Sequence, residues 1–258
     1  MTEARGSTGT LSLLPLIFSE AGEGGAGTAL LDIGGGDGAL AARLHAKFSK
    51  VLGIDIDPGA LSQARTAVGH QPGLECCFGD AGDLSKVVGE DSTFDCILSV
   101  LALHHMDVNR VLCSLKSHLR AGGRILVVDI YANHKQSFYE YVIDQFLGSS
   151  ISHPSSLAES AGRVGFVNAV RYLAWRFAFS FSGMGRTHVM QDLSRGLPPS
   201  LDEWRDLLEQ SLPGGSLVLI VGSTFVFRWS SVSCQSSCTD CNAFPSLLMV
   251  TRPQRSAL

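Results

Sequence analysis

The amino-acid sequence predicts an α/β protein with a doubly wound, mostly parallel sheet. Apolar runs of strand length alternate with helical patterns between residues 29 and 130, which is typical of parallel strands joined by crossover helices. Right-handed crossovers place such helices on both faces of the sheet. The predicted strands cover residues 29–33, 51–54, 74–78, 94–99 and 124–130. The predicted helices cover residues 39–48, 59–68, 84–88 and 109–119, and Gly122 with Gly123 is predicted to end the last of them.

Composition limits the classes of function. The chain has 258 residues, 45% of them hydrophobic, which is enough for one large domain with a sizeable core. A net charge of −4 without a basic block argues against nucleic acid and against an anionic membrane surface as partners. The longest apolar stretch, residues 217–227, is too short to span a bilayer, so we expect no membrane segment. Seven cysteines, an odd number, favour the reducing cytoplasm over a disulfide framework.

The sequence divides into segments of different composition. Residues 1–28 are rich in glycine and serine and are expected to be a flexible N-terminal segment, in which residues 13–18 are apolar enough for a short helix. Residues 29–253 form the single predicted domain. Its parts are a core at 29–131, a largely helical and aromatic-rich cap at 132–212, and a C-terminal hairpin at 213–253 with a polar insert at 231–245. A cap inserted late in an open α/β sheet covers the strand ends where ligands bind.

The clearest motif is the glycine turn after the first strand. Its glycines are Gly34, Gly36 and Gly38, which is not the spacing expected of a pyrophosphate-binding turn. Glycines without Cβ atoms let the backbone bend tightly and approach a ligand closely. Asp32 precedes the turn and adds negative charge where a diphosphate would be repelled. The ligand is therefore expected to be cationic at this end.

Acidic residues also follow the second and third strands. Asp55 lies 19 positions after Gly36, close to the spacing at which a carboxylate accepts both hydroxyls of a ribose. Asp80 follows the third strand, where its carboxylate is suited to accept a hydrogen bond from an adenine amino group. The fourth strand leads through Ser99 and Val100 toward two histidines. The sequence thus predicts one crevice formed by four strand ends.

In this order, the motifs resemble the class I S-adenosylmethionine-dependent methyltransferases, in the small-molecule branch that carries the methyltransferase type 11 domain. The resemblance covers about 100 residues and implies a Rossmann-like, seven-stranded sheet whose last pair is antiparallel. It implies S-adenosylmethionine as the cofactor. The resemblance assigns Asp32, Gly34, Gly36 and Gly38 to the methionine part of this cofactor, and Asp55 with its neighbour Ile56 to the ribose. It assigns Asp80 and Ala81 to the adenine, and Ser99 and Val100 to the sulfonium side.

The C-terminal part departs from that family pattern. Residues 227–230 are similar to the family's aromatic and basic strand, and residues 246–253 to its closing apolar strand. Between them, the insert at 231–245 is either a long hairpin loop or translated intron sequence. Its cysteines, Cys234, Cys238 and Cys241, have the spacing of a radical-enzyme cluster motif, but that motif belongs to β/α barrels. We therefore expect unpaired loop cysteines and no metal.

Candidates for acid–base chemistry lie in the cap. The best pair is His188 with Asp192, one helical turn apart, since the carboxylate would orient the imidazole. Further candidates in the cap are His153, Tyr139 and Tyr141. The adjacent His104 and His105 are expected to point apart, to line a wall and to bind no metal.

Two functions remain open at this stage. The first is methyl transfer to an O, N or C atom of a small, hydrophobic or aromatic metabolite, as in secondary metabolism. The second is a protein of the same fold without transfer activity, acting as a cyclase-like or binding protein in a biosynthetic pathway. A nicotinamide-dependent dehydrogenase is disfavoured by the glycine spacing and by Asp32. The acceptor and the oligomeric state are not determined by the sequence.

Overall fold

A computed structural model describes residues 13–132, 198–221 and 224–231. The strands are β1 Gly25–Ile33, β2 Phe48–Asp55, β3 Leu74–Phe78, β4 Phe94–Val100, β5 Leu119–Ile130, β6 Ser216–Val221 and β7 Thr224–Ser230. The helices are α1 Leu14–Glu20, α2 Ala39–Leu44, α3 Pro58–Val68, α4 Leu84–Val88, α5 Val108–Ser117 and α6 Leu201–Ser211. Short 3₁₀ turns at Ala81–Asp83 and Leu103–His105 follow β3 and β4.

The seven strands form one sheet in the order β3-β2-β1-β4-β5-β7-β6. The first five are parallel, and β7 runs antiparallel to both of its neighbours, β5 and β6. The predicted α/β class, with a mostly parallel sheet and an antiparallel last pair, is confirmed. Most of the predicted cap lies outside the described residues. Its last part contains α6, which begins and ends within one residue of the predicted helix at 200–210.

Side-chain caps determine where the principal helices begin. Asp57 accepts a hydrogen bond from the Gly59 amide at the start of α3, and Asp107 does the same for the Arg110 amide in α5. Ser200 and Glu203 form a reciprocal capping box at the start of α6. In the three ranges that the structure describes, none of the helices is long and apolar enough to cross a membrane.

Apolar side chains alternate between the two faces of the central strands and form two cores. On one face, Leu30 of β1 lies with Leu98 of β4 and Leu126 of β5 under α1 and α2. On the other face, Leu31 and Ile97 lie in the core that α4, α5 and α6 cover. Both faces are therefore buried, as a parallel sheet with crossover helices requires.

The N-terminal region is more ordered than the sequence indicated. The predicted flexible segment ends at residue 28, but β1 begins at Gly25 and α1 packs on the sheet through the buried Leu16 and Ile17. Glu20 at the end of α1 forms a 2.7 Å ion pair with Arg228 of β7. The apolar patch at residues 13–18 therefore covers one face of the sheet, because the apolar side chains of β1, β4 and β5 would otherwise be exposed there.

The last strand pair differs from the predicted one. We expected the pair to join a strand ending near residue 230 to a strand at 246–253, across the insert. Instead the pair consists of β6 and β7, which already complete the seven-stranded sheet before residue 231. The apolar residues 217–227 thus belong to two strands. Gly122 also differs from its predicted role, because α5 ends at Ser117 and the Gly122 amide bonds to the Ser231 carbonyl.

Replacing Trp204 with alanine is expected to destabilise the protein by about 3–5 kcal/mol, because a large buried side chain leaves a cavity. Trp204 of α6 is fully buried, its ring lies 5.3 Å from that of Phe225, and its indole N–H donates to the Ile130 carbonyl at 2.9 Å. Urea unfolding measures the change in the free energy of unfolding. The control is Asp206→Ala, at an exposed position of the same helix, and equal effects of the two variants would contradict this role for Trp204.

Candidate active site

The glycine turn between β1 and α2 forms the centre of the site. Gly34, Gly36 and Gly38 all have positive φ angles, of 68°, 54° and 74°, in the left-handed region that favours glycine. A Cβ atom on Gly34 would lie 2.4 Å from the Ala102 Cβ, so the turn packs closely against the segment after β4. A Cβ on Gly36 would have no neighbour nearer than 4.0 Å. The backbone at Gly36 is therefore open to a ligand.

Asp32 lies beneath this turn and is buried, with 1% of its surface exposed. Within the described ranges of the chain, no group donates a hydrogen bond to its Oδ2 atom. Burial, together with the nearby carboxylates of Asp55 and Asp37, raises the pKa of Asp32 to about 7. A buried acceptor without a donor is costly unless a ligand supplies one, and a cationic group would satisfy both the hydrogen bond and the charge.

Asp55 is the last residue of β2 and connects it to the glycine turn. Its Oδ2 accepts a 2.9 Å hydrogen bond from the Gly36 amide, and its Oδ1 accepts a 2.8 Å bond from the Asp57 amide. A carboxylate offers about four acceptor positions, so each oxygen can still accept one more hydrogen bond. Two backbone donors thus orient Asp55 and leave acceptors for a diol. Ile56, the next residue, is 63% exposed although it is large and apolar.

Asp80 follows β3 and is held by two donors. Its Oδ1 accepts a 2.8 Å hydrogen bond from the Gly82 amide, and Arg110 of α5 lies 3.2 Å from its Oδ2. Arg110 was not predicted from the sequence, because nothing in the sequence of α5 indicates that this residue faces β3. Ala81 is buried beside Asp80. The Asp80 carboxylate is therefore fixed at the same edge of the sheet as Asp55.

The end of β4 lies next to the end of β1. Ser99 pairs with Ile33 across the sheet, and its buried hydroxyl has no hydrogen-bond partner among the residues that the structure describes. Val100 ends the strand, and Leu101 follows with a φ of 54°, which is strained for a residue with a branched side chain. This backbone conformation turns the chain into the 3₁₀ turn at Leu103–His105.

His104 in that turn contacts Asp129, a buried residue near the end of β5. Nδ1 of His104 lies 2.5 Å from Oδ1 of Asp129. Asp129 was not predicted from the sequence, although an acidic residue at the end of an apolar strand was a signal for it. The expectation that His104 and His105 point apart is wrong, because their ring centroids are 3.8 Å apart.

The predicted residues of the cofactor site lie at one edge of the sheet, on the glycine turn and on the ends of β1, β2, β3 and β4. The predicted pair His188 and Asp192 lies outside the described residues and stays a prediction, as do His153, Tyr139, Tyr141 and the cysteines of the insert. Among the residues that the structure describes, no cluster of three or more histidine, cysteine, aspartate or glutamate side chains is arranged to hold a metal ion.

These residues fit an adenosyl donor with a positive charge. The unpartnered oxygen of Asp32 suits an ammonium group, and the open backbone at Gly36 allows close approach. The oriented carboxylate of Asp55 suits vicinal hydroxyls, and the exposed side chain of Ile56 offers an apolar surface for a base.

The folded protein without a ligand is expected to lose stability through Asp32 as the pH rises from about 4 to about 7. In this range the unfolded chain releases the Asp32 proton while the folded protein, with its raised pKa, retains it. Asp32→Asn should therefore match the wild type near pH 4 and exceed it above pH 7, by up to about 4 kcal/mol. Urea unfolding at several pH values measures this difference, and a difference independent of pH would contradict it.

Comparison with known proteins finds matches over the part of the chain that contains these residues. Residues 31–127 match the sequence model described as a methyltransferase domain. An uncharacterized methyltransferase of Mycobacterium bovis is 34% identical over 100 residues, which are 38% of this chain and 49% of the relative. The chain thus spans about half the length of the curated relatives it matches there. An uncharacterized methyltransferase of Bacillus subtilis, YcgJ, is 26% identical over 179 residues, 68% of this chain and 63% of the relative.

A solved structure shares the fold. The S-adenosylmethionine-dependent methyltransferase from Mesorhizobium loti superimposes with a TM-score of 0.52 at 19% identity, over 85% of this chain and 97% of that one. The matched residues 31–127 include β1 with its glycine turn and the ends of β2, β3 and β4. By these comparisons, residues 31–127 are similar in sequence to a methyltransferase domain, and the chain shares its fold with an S-adenosylmethionine-dependent methyltransferase.

Proposed function

We propose that the protein transfers the methyl group of S-adenosylmethionine to a small, hydrophobic or aromatic metabolite. The observation that carries the donor half of this proposal is the buried Asp32 oxygen without a partner, next to the open backbone at Gly36. A cationic donor would supply the missing hydrogen bond and neutralise the charge at once. A ligand with a diphosphate at this position would instead be repelled by Asp32.

Separate groups support the rest of the donor. Asp55 has two acceptor positions left for the ribose hydroxyls, and its orientation is fixed before the ligand arrives by the Gly36 and Asp57 amides. The apolar side chain of Ile56 is suited to cover one face of the adenine. Asp80 is positioned as an acceptor for the adenine amino group, beside the buried Ala81.

The acceptor half of the proposal rests on chemistry near the donor methyl group and on the sequence of the cap. Val100 ends β4, and the methyl end of Met106 would lie 3.5 Å from a Cβ atom on Gly34, so apolar side chains flank this side of the glycine turn. The cap at residues 132–212 is rich in aromatic residues. With a net charge of −4 and no basic block, the chain has little to bind a phosphate-rich acceptor.

Two measurements test this function. The first is the melting temperature with S-adenosylmethionine, S-adenosylhomocysteine or NAD, because a ligand that binds only the folded state raises it. We expect a rise with the two adenosyl compounds and none with NAD. The second follows the radioactive methyl group of labelled S-adenosylmethionine into a panel of small phenols, amines and activated carbon acids. Binding without transfer to any of them would favour a binding or cyclase-like protein, and a rise with NAD alone would refute the proposal.

Replacing Asp55 with alanine should weaken the binding of S-adenosylhomocysteine about 10- to 100-fold, since the ribose loses hydrogen bonds to a charged acceptor. Titration calorimetry gives the dissociation constant. The matched control is Asp91→Ala, an exposed aspartate just before β4, which should leave the constant unchanged. An Asp55→Ala protein that is folded and binds as tightly as the wild type would refute the ribose assignment.

Gly34→Ala should abolish detectable binding of the same ligand, because the new Cβ would lie 2.4 Å from that of Ala102 and displace the turn. The control is Gly122→Ala. Gly122 has a comparable φ of 78°, and a Cβ there would meet no atom within 4 Å, so it introduces backbone strain without the clash. Both variants should lose some stability, and only Gly34→Ala should lose the ability to bind S-adenosylhomocysteine. Equal binding by both would show that the close approach at Gly34 is not required.

A further inference from the structure

Arg110 joins α5 to the turn that follows β3. Its Nη2 atom lies 3.2 Å from Oδ2 of Asp80, whose Oδ1 accepts a 2.8 Å hydrogen bond from the Gly82 amide. Four residues further along α5, the hydroxyl of Ser114 accepts a 3.1 Å hydrogen bond from the Leu84 amide. Residues four apart lie on the same face of a helix, so α5 holds this turn at two points of one face.

Gly82 provides the space through which Arg110 reaches Asp80. A Cβ atom on Gly82 would lie 2.9 Å from both Cζ and Nε of Arg110, and 3.1 Å from its Cδ. The guanidinium thus packs over the bare backbone of Gly82, where a side chain would otherwise be. Gly82 is not among the glycines with a positive φ angle, so its backbone conformation does not require glycine, whereas the contact with Arg110 does.

The ion pair between Arg110 and Asp80 affects orientation more than stability. The two side chains are 53% and 48% exposed, and ion pairs with this exposure contribute little to the free energy of unfolding. The backbone that carries Arg110 is fixed, because its amide donates to the capping Asp107 at 3.2 Å and the next residue, Val111, is buried in the core. A fixed helix start and the Gly82 amide therefore determine the direction of the Asp80 carboxylate.

An oriented carboxylate at this edge distinguishes between two kinds of purine. An ionised carboxylate only accepts hydrogen bonds, and each oxygen of Asp80 can accept one more after its contacts with Gly82 and Arg110. An amino group on the base supplies the donor that these positions need. A carbonyl oxygen at the same place is an acceptor, which the carboxylate repels. Asp80 turns away from such an oxygen only by giving up one of its two partners.

We propose that Arg110, reaching across Gly82, is a positioning residue for Asp80 and makes the donor site selective for an amino purine over an oxo purine; this rests on the methyl transfer proposed above. Arg110 acts through Asp80 and does not contact the base. Because the carboxylate is oriented before the ligand arrives, less conformational freedom is lost when an amino purine binds. The same orientation excludes an oxo purine, since the carboxylate is not free to move aside.

Two ligands and one substitution test this role. S-inosylhomocysteine carries a carbonyl oxygen in place of the adenine amino group of S-adenosylhomocysteine, and the wild-type protein should bind it about 30-fold or more weakly. Arg110→Met removes the charge and keeps an unbranched side chain. It should weaken S-adenosylhomocysteine about 3- to 10-fold. S-inosylhomocysteine should bind to this variant at least as tightly as to the wild type, because the released carboxylate turns toward solvent. Titration calorimetry gives both dissociation constants.

The matched control is Arg205→Met. Arg205 forms a similarly exposed ion pair with Asp202 on α6, at 2.7 Å, and its loss should leave both dissociation constants unchanged. An equal weakening of both ligands by Arg110→Met would indicate a purely structural role and overturn the proposal. A greater loss for S-inosylhomocysteine would also overturn it, since Arg110 would then donate to the base itself. Unchanged constants for both ligands would do the same.

Gly82→Ala tests the path of the contact while the charge of Arg110 is retained. The new Cβ displaces the guanidinium, which is the far end of a flexible side chain, so the protein should remain folded. Selectivity between the two ligands should fall as it does in Arg110→Met, and the double variant should show no further loss. Additive losses would contradict a shared path. If the wild type binds no S-adenosylhomocysteine, the proposed function fails; if it binds both ligands equally, only the role of Asp80 and Arg110 fails.

Discussion

β1 pairs in parallel with β2 on one side and with β4 on the other, and the proposed donor site depends on this pairing. Asp32 lies opposite Gly53 of β2 and Leu98 of β4, so the chain leaves all three strands at one edge of the sheet. The amides of Gly34 and Gly35 both donate to the Ile54 carbonyl, which ties the glycine turn to β2. If one of these ladders slipped by a residue, side chains would exchange faces and the edge would lose its carboxylates.

The same pairing places an unfavourable residue, Asp32, in the centre of the sheet. Asp32 is buried, and the carboxylates of Asp55 and Asp37 oppose its ionisation. Such a position lowers the stability of the ligand-free protein and becomes favourable when a cation is bound. The binding free energy of the ligand thus offsets the loss of stability that the buried Asp32 causes in the ligand-free protein.

The convergence of the proposed cofactor residues was predictable from the sequence, because parallel strands end at one edge and Asp32, Asp55 and Asp80 were each placed at or just after a strand end. Contacts between distant segments were not predictable. Arg110 reaches Asp80 from α5, and Asp129 reaches His104 from β5, through packing that has no local pattern. The division of β6 from β7 was also missed, although Gly222, Ser223 and Thr224 interrupt the apolar run 217–227 at that point and are residue types common in turns.

The docking of α1 has a practical consequence for work with shortened forms of the protein. Leu16 and Ile17 cover Leu30 and Leu126 on one face of the sheet, and Glu20 joins the helix to Arg228 of β7. A recombinant fragment that started at the first strand would leave that face bare to solvent. Exposed apolar faces of this kind promote self-association, so such a fragment would precipitate on expression even though it retained every residue of the glycine turn.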